Sequence, residues 1–74
     1  MWREGTIGFH GETFHYWVKK YKVRSKFGIE GGRISKLTIK RNGQVVCNYD
    51  RGWDIKAEDE NTETALQILL HEFN

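Results

Sequence analysis

The sequence predicts an α+β domain, a four-stranded antiparallel sheet built from two hairpins with one C-terminal helix packed on one face, in the order ββββα. Three observations carry that expectation. Asn42-Gly43 separates two runs, RISKLTIK and QVVCNYD, in which polar and apolar residues intermix as in strands. A similar pair of runs, TIGF and ETFHYWVKKYKV, flanks His10-Gly11. The final stretch, TALQILLHEF, places Ala65, Leu66, Leu69, Leu70 and Phe73 at helical spacing.

In the first hairpin Gly11 supplies the left-handed conformation that a two-residue turn needs. Ile7 then opposes Phe14, and Phe14, Tyr16 and Val18 line one side of their strand. His15, Trp17, Lys19 and Tyr21 line the other. Residues 24–33, RSKFGIEGGR, hold three glycines and read as a loop between the hairpins. In the second hairpin, turning at Asn42-Gly43 sets Ile39 against Val46 and Leu37 against Asn48 on one side. Lys40 with Val45, Thr38 with Cys47 and Lys36 with Tyr49 fall on the opposite side. The helix is expected over about 60–73, capped by Asp59 or Asn61, with Asp59, Glu60 and Glu63 near the positive end of its dipole. Two layers are the simplest way to hide both apolar surfaces, with Ile7, Phe14, Val18, Leu37, Ile39 and Val46 under the helix.

At 74 residues without proline, the chain is expected to form one domain, residues 1–74, around a single core. A chain of this length buries only roughly 60% of its extended surface, which leaves a small margin of stability. Such a margin leaves little room for a strained active site, so the expectation is a protein that is not an enzyme. Hydrophobic content of 38% with 30% charge is that of a globular chain. The single cysteine, Cys47, excludes an internal disulfide framework and fits a reducing cytoplasm. No apolar run reaches the ~20 residues that span a bilayer, and no signal-peptide pattern opens the chain, so no membrane partner is expected. The net charge of +2 conceals an asymmetry: residues 1–41 hold ten Lys/Arg against three Asp/Glu, and residues 42–74 hold two against seven. That division suits either a polyanion-facing surface with an acidic back or mutual attraction of the two halves.

The stretches YWVKKY, FGIEGGRISKLTIKRNG, NYDRGWDI and ALQILLHEFN carry a resemblance that covers most of the chain. In them the sequence resembles a family of small uncharacterised proteins from Gram-positive bacteria and their phages and mobile elements. The resemblance implies an α+β domain of unknown function, and it brings no catalytic residue, cofactor or partner.

Function is therefore expected on the sheet face left open by the helix. That face is predicted to carry Thr13, His15, Trp17, Lys19 and Tyr21 beside Lys36, Thr38, Lys40 and Tyr49. Two kinds of macromolecule suit it. Tyr, Trp and Arg anchor protein interfaces, so Trp17, Tyr21, Tyr49 and Arg51 with the lysines would bind an unknown protein partner or a second copy. Rings interleaved with Lys19, Lys36 and Lys40 would instead stack bases and track the phosphates of a nucleic acid. Neither a metal nor a cofactor is expected: His10, His15, His71 and Cys47 have no paired ligand spacing, and GIEGGR lacks the spacing of phosphate-binding loops. In NYDRGWDI, Asp50 and Asp54 lack a nearby nucleophile. There Gly52 is expected to bend the chain, Arg51 to pair with a carboxylate, and Trp53 and Ile55 to plug the edge of the core.

Overall fold

In the computed structural model, which describes residues 2–74, the two turns at which the chain reverses have the conformation their residues dictate. His10-Gly11 and Asn42-Gly43 are both left-handed at both positions, with φ of 53° and 75°, and 53° and 77°. They join β1 (Trp2–Phe9) to β2 (Glu12–Lys20) and β3 (Ile34–Arg41) to β4 (Gln44–Asp50). A third tight turn follows at Arg51-Gly52, with Arg51 at φ 60°, and returns the chain as β5 (Trp53–Ile55). The sheet thus has five strands, in the order β1-β2-β3-β4-β5 and antiparallel throughout, where four were predicted. The three-residue strand is too short to show a period of its own. Its turn depends on a left-handed arginine that composition does not signal.

Register in the first hairpin agrees with the prediction, since Ile7 pairs with Phe14. Phe14 and Val18 are fully buried, and Tyr16 packs on the same side with its ring 5.9 Å from that of Phe73. Gly5, opposite Tyr16, leaves room for that ring: a methyl group there would stand 2.9 Å from Tyr16 Cζ.

The second hairpin departs from the predicted pairing after Lys40–Val45. Ile39 pairs with Cys47, Thr38 with Asn48 and Leu37 with Tyr49, so Val46 is an extra residue in β4. One inserted residue reverses every face beyond it. Cys47 and Tyr49 consequently enter the core, whereas Asn48 faces away from it. Ser35 in β3 and Asp54 in β5 are skipped in the same manner. Ser35 is buried, donates its hydroxyl to the Lys19 carbonyl and accepts the Arg51 amide.

Helix α1 (Glu60–Phe73) lies over this side of the sheet, with Thr62, Ala65, Leu66 and Leu69 buried beneath it. Asp59 is the cap, accepting the Thr62 amide at 2.8 Å. The same carboxylate receives both terminal nitrogens of Arg41, at 3.2 and 3.0 Å, and the Thr62 hydroxyl at 3.0 Å. The Arg41 hydrogen bonds, followed by those from Thr62, hold the Asp59 carboxyl down at about 2. Because the folded pKa lies below the ordinary value, this contribution to stability is complete above about pH 4. It is lost as pH falls from there toward 2. Urea midpoints across that interval are expected to fall less in Asp59→Asn than in the parent, and parallel pH profiles would contradict the assignment.

The loop between β2 and β3 is closed by a polar knot with no signature in the sequence. Residues Ile29–Gly31 form a tight 3-10-like turn kinked at Glu30, whose φ of 54° is left-handed, and the Ile29 side chain is buried in the core. Asn74, at the end of α1, accepts the amides of Arg33 and Ile34 at 2.8 and 3.0 Å and donates to the Ile29 carbonyl at 3.0 Å. Gly32 is required by this approach, because a methyl group there would collide with the Asn74 side chain.

Candidate sheet-face interface

The face of the sheet turned away from α1 is built by register. Trp2 pairs with Lys19, Glu4 with Trp17 and Thr6 with His15. Across the next ladder Lys19 meets Lys36, Trp17 meets Thr38 and His15 meets Lys40. Opposed residues of antiparallel strands share a side, so these chains form one continuous surface. Trp2 is 56% exposed and Trp17 half-buried. Together with Thr38 and Lys40 they line a shallow depression of about 370 Å³.

Aromatic and cationic groups are ordered on it. The His15 and Trp17 rings stack with centroids 4.3 Å apart and planes 10° from parallel. Lys40 Nζ lies 5.5 Å from the Trp17 ring and Lys19 Nζ 5.8 Å from that of Trp2, distances at which a cation is attracted to the ring face. His15 Nε2 meets Glu4 at 3.0 Å, and Lys36 approaches Asp50 at 3.8 Å. Thr38 donates to Asn48, which donates in turn to Asp54. Three lysines thus stand among three carboxylates, and the surface carries both signs.

Of the residues predicted to bind a macromolecule, Trp17, Lys19, Lys36 and Lys40 lie together on this face. Tyr21 lies just past β2, half-buried beside Lys20 and Lys22. Arg51 is exposed in the third turn, and its side chain makes no ion pair among the described residues; its backbone amide does the anchoring. Tyr49 is a correction. The extra residue Val46 turns it to the helix side, where it is 7% exposed and donates its hydroxyl to the Phe27 carbonyl at 2.9 Å. Burial, then the neighbouring Tyr21, raises its phenol above the usual range.

Trp2 is the aromatic member of the face that was not predicted. The pairing Ile7–Phe14, extended five residues, already sets Trp2 opposite Lys19, so the signal lay in the register. Trp53 is corrected as well. It is 38% exposed and lies edge-on to Tyr49 with centroids 5.1 Å apart, because β5 is the outer strand and has a neighbour on one side only.

The acidic residues of NYDRGWDI and the single cysteine each have a defined setting. Asp50 engages Lys36 and Asp54 engages Asn48, and no group of three His, Cys, Asp or Glu among the described residues is placed to hold a metal. Cys47 is fully buried, and desolvation, with Glu63 adding to it, pushes its thiol up to about 11. Ellman's reagent is therefore expected to label Cys47 only at the rate of unfolding, and prompt labelling of the native protein would contradict this. No helix among the described residues is long and apolar enough to cross a membrane.

The matched segment is the whole chain, residues 1–74. The chain belongs to the family described as Domain of unknown function (DUF7678). No curated protein and no solved structure matches it. Membership thus agrees with the resemblance to a family of unknown function and leaves the reading of the site to its geometry.

Proposed function

We propose that this family member is a cytoplasmic binding module rather than an enzyme, and that its open sheet face takes a protein partner, in the first instance a second copy of the chain. The observation that carries the reading is the depression between Trp2 and Trp17, flanked by Lys19 and Lys40. Large rigid rings with cationic stems beside them lose little entropy on docking and bury much apolar area. Lys19, Lys36 and Lys40 stand among Glu4, Asp50 and Asp54, so a two-fold related copy can set cations against acids. A strand of nucleic acid would need a net positive track, and on this face the carboxylates oppose one. A buried free thiol fits a reducing compartment. An origin in Gram-positive bacteria, their phages or mobile elements would suit a small protein that modulates a host factor.

Sedimentation velocity over a wide concentration range tests the proposal. The parent is expected to move from monomer toward dimer as concentration rises, and Trp17→Ala to remain monomeric with an unchanged circular dichroism spectrum. A parent that stays monomeric throughout removes the self-association. Salt-sensitive binding of oligonucleotides that is lost in Trp17→Ala would replace the protein reading with the nucleic-acid one.

A further inference from the structure

A second surface lies on the helix side, at the end of the sheet where β1 begins and β2 stops. Arg3, Lys20, Tyr21, Lys22 and Arg33 line an open depression of about 370 Å³ there. Four of these five residues are cations and none is an acid. The fold brings them together from three places. Arg3 is opposite Val18, whose side chain is in the core, so it projects on the helix side. Lys20 closes β2 with its ammonium 5.6 Å from the Phe73 ring. Arg33 is held by its backbone, which donates to Asn74 and accepts the Tyr21 amide at 2.7 Å.

Two features of this cluster point to an anion. Lys36 and Arg41 have carboxylate partners, whereas Arg3, Lys22 and Arg33 form no ion pair among the described residues. Arg33 Nε, moreover, is buried with no hydrogen-bond partner among them. A buried N–H without an acceptor is uncommon in folded proteins, and a bound ion is one of its ordinary explanations. Like charges gathered in one concavity also raise the local potential and attract an anion.

We propose that this depression binds a phosphate group. Guanidinium forks match phosphate oxygens in pairs, a dianion answers several cations better than a carboxylate does, and Tyr21 adds an uncharged donor. The site is distinct from the Trp2–Trp17 face and does not depend on it. The phosphate has two possible sources, a free phosphorylated small molecule or the headgroup of a lipid. Val23, which follows Lys22 and is 73% exposed, would face the bilayer in the second case.

The test is an NMR titration of the arginine Nε–Hε resonances of the full chain with inorganic phosphate, against chloride at matched ionic strength. A saturable shift of the Arg33 resonance with phosphate alone is expected. Arg3→Gln and Lys22→Gln change exposed side chains, so folding is preserved, and each is expected to weaken binding about tenfold, as for one lost charge-assisted contact. Vesicles of phosphatidylcholine with and without phosphatidic acid identify the source. Binding to the acidic vesicles that inorganic phosphate competes away assigns a headgroup, and phosphate binding without vesicle binding assigns a soluble ligand; both support the site. A shift that does not saturate, an equal response to chloride, or affinity unchanged in both variants overturns it. So does binding of an oligonucleotide with no response to phosphate.

Discussion

Asn74→Ala is expected to lose about 2–4 kcal/mol of stability, because three part-buried backbone groups lose their hydrogen-bond partner at once. In a domain of this size that corresponds to a fall in melting temperature on the order of 10–20 °C. The bonds span 40 or more residues and tie the end of α1 to the loop that delivers Ile29 to the core. The loss should consequently be local before it is global. Native-state amide exchange is expected to accelerate most at Arg33 and Ile34, with the β1–β2 ladder less affected. Asn74→Asp retains the acceptor for those two amides but sets a second oxygen against the Ile29 carbonyl, and an intermediate loss is expected. A stability for Asn74→Ala within about 0.5 kcal/mol of the parent, the usual range for plain surface changes, would show that the knot is incidental.

Phe14→Ala is expected to be the more severe change. Phe14 is fully buried, stacks on Phe9 with ring centroids 5.4 Å apart, and lies under the Arg41 guanidinium at 5.6 Å. Removing a buried phenyl ring costs about 3–5 kcal/mol in transfer and cavity terms together. The whole domain is held by roughly 4–11 kcal/mol at the usual stability per residue. Much of the native population should therefore be lost at physiological temperature. The effect also reaches the helix start, since Arg41 bridges Phe14 to the Asp59 cap. Equilibrium urea unfolding read by tryptophan fluorescence measures it, and a midpoint close to that of the parent would place Phe14 outside the core.

The sheet and the proposed protein-binding face were legible in unequal parts. Trp17, Lys19, Lys36 and Lys40 could be assigned to one surface because a two-residue turn and a period of two determine which side each residue takes. Tyr49 could not, because one extra residue at Val46 reverses the alternation, and a bulge leaves no mark in composition. The basic depression was legible only as a charge imbalance of the first 41 residues. Arg3 and Arg33 are thirty residues apart, and the order β1-β2-β3 brings the start of β1 and the residue before β3 to the same depression.

The amino-acid sequence by itself determined the two glycine turns, the pairing of Ile7 with Phe14, and a helix over about 60–73 with its cap at Asp59 or Asn61. Each rests on residues close enough along the chain to constrain one another through backbone conformation or spacing. Only the tertiary structure decided the fifth strand, the inward turn of Cys47 and Tyr49, and the hold of Asn74 on Arg33, Ile34 and Ile29. These depend on which distant groups come within hydrogen-bond reach once the core has closed. The octet NYDRGWDI divides between the two: Asn48 to Asp50 continue a strand that the Asn42-Gly43 turn begins, while Trp53 to Ile55 form a strand only because β4 presents an edge to receive them.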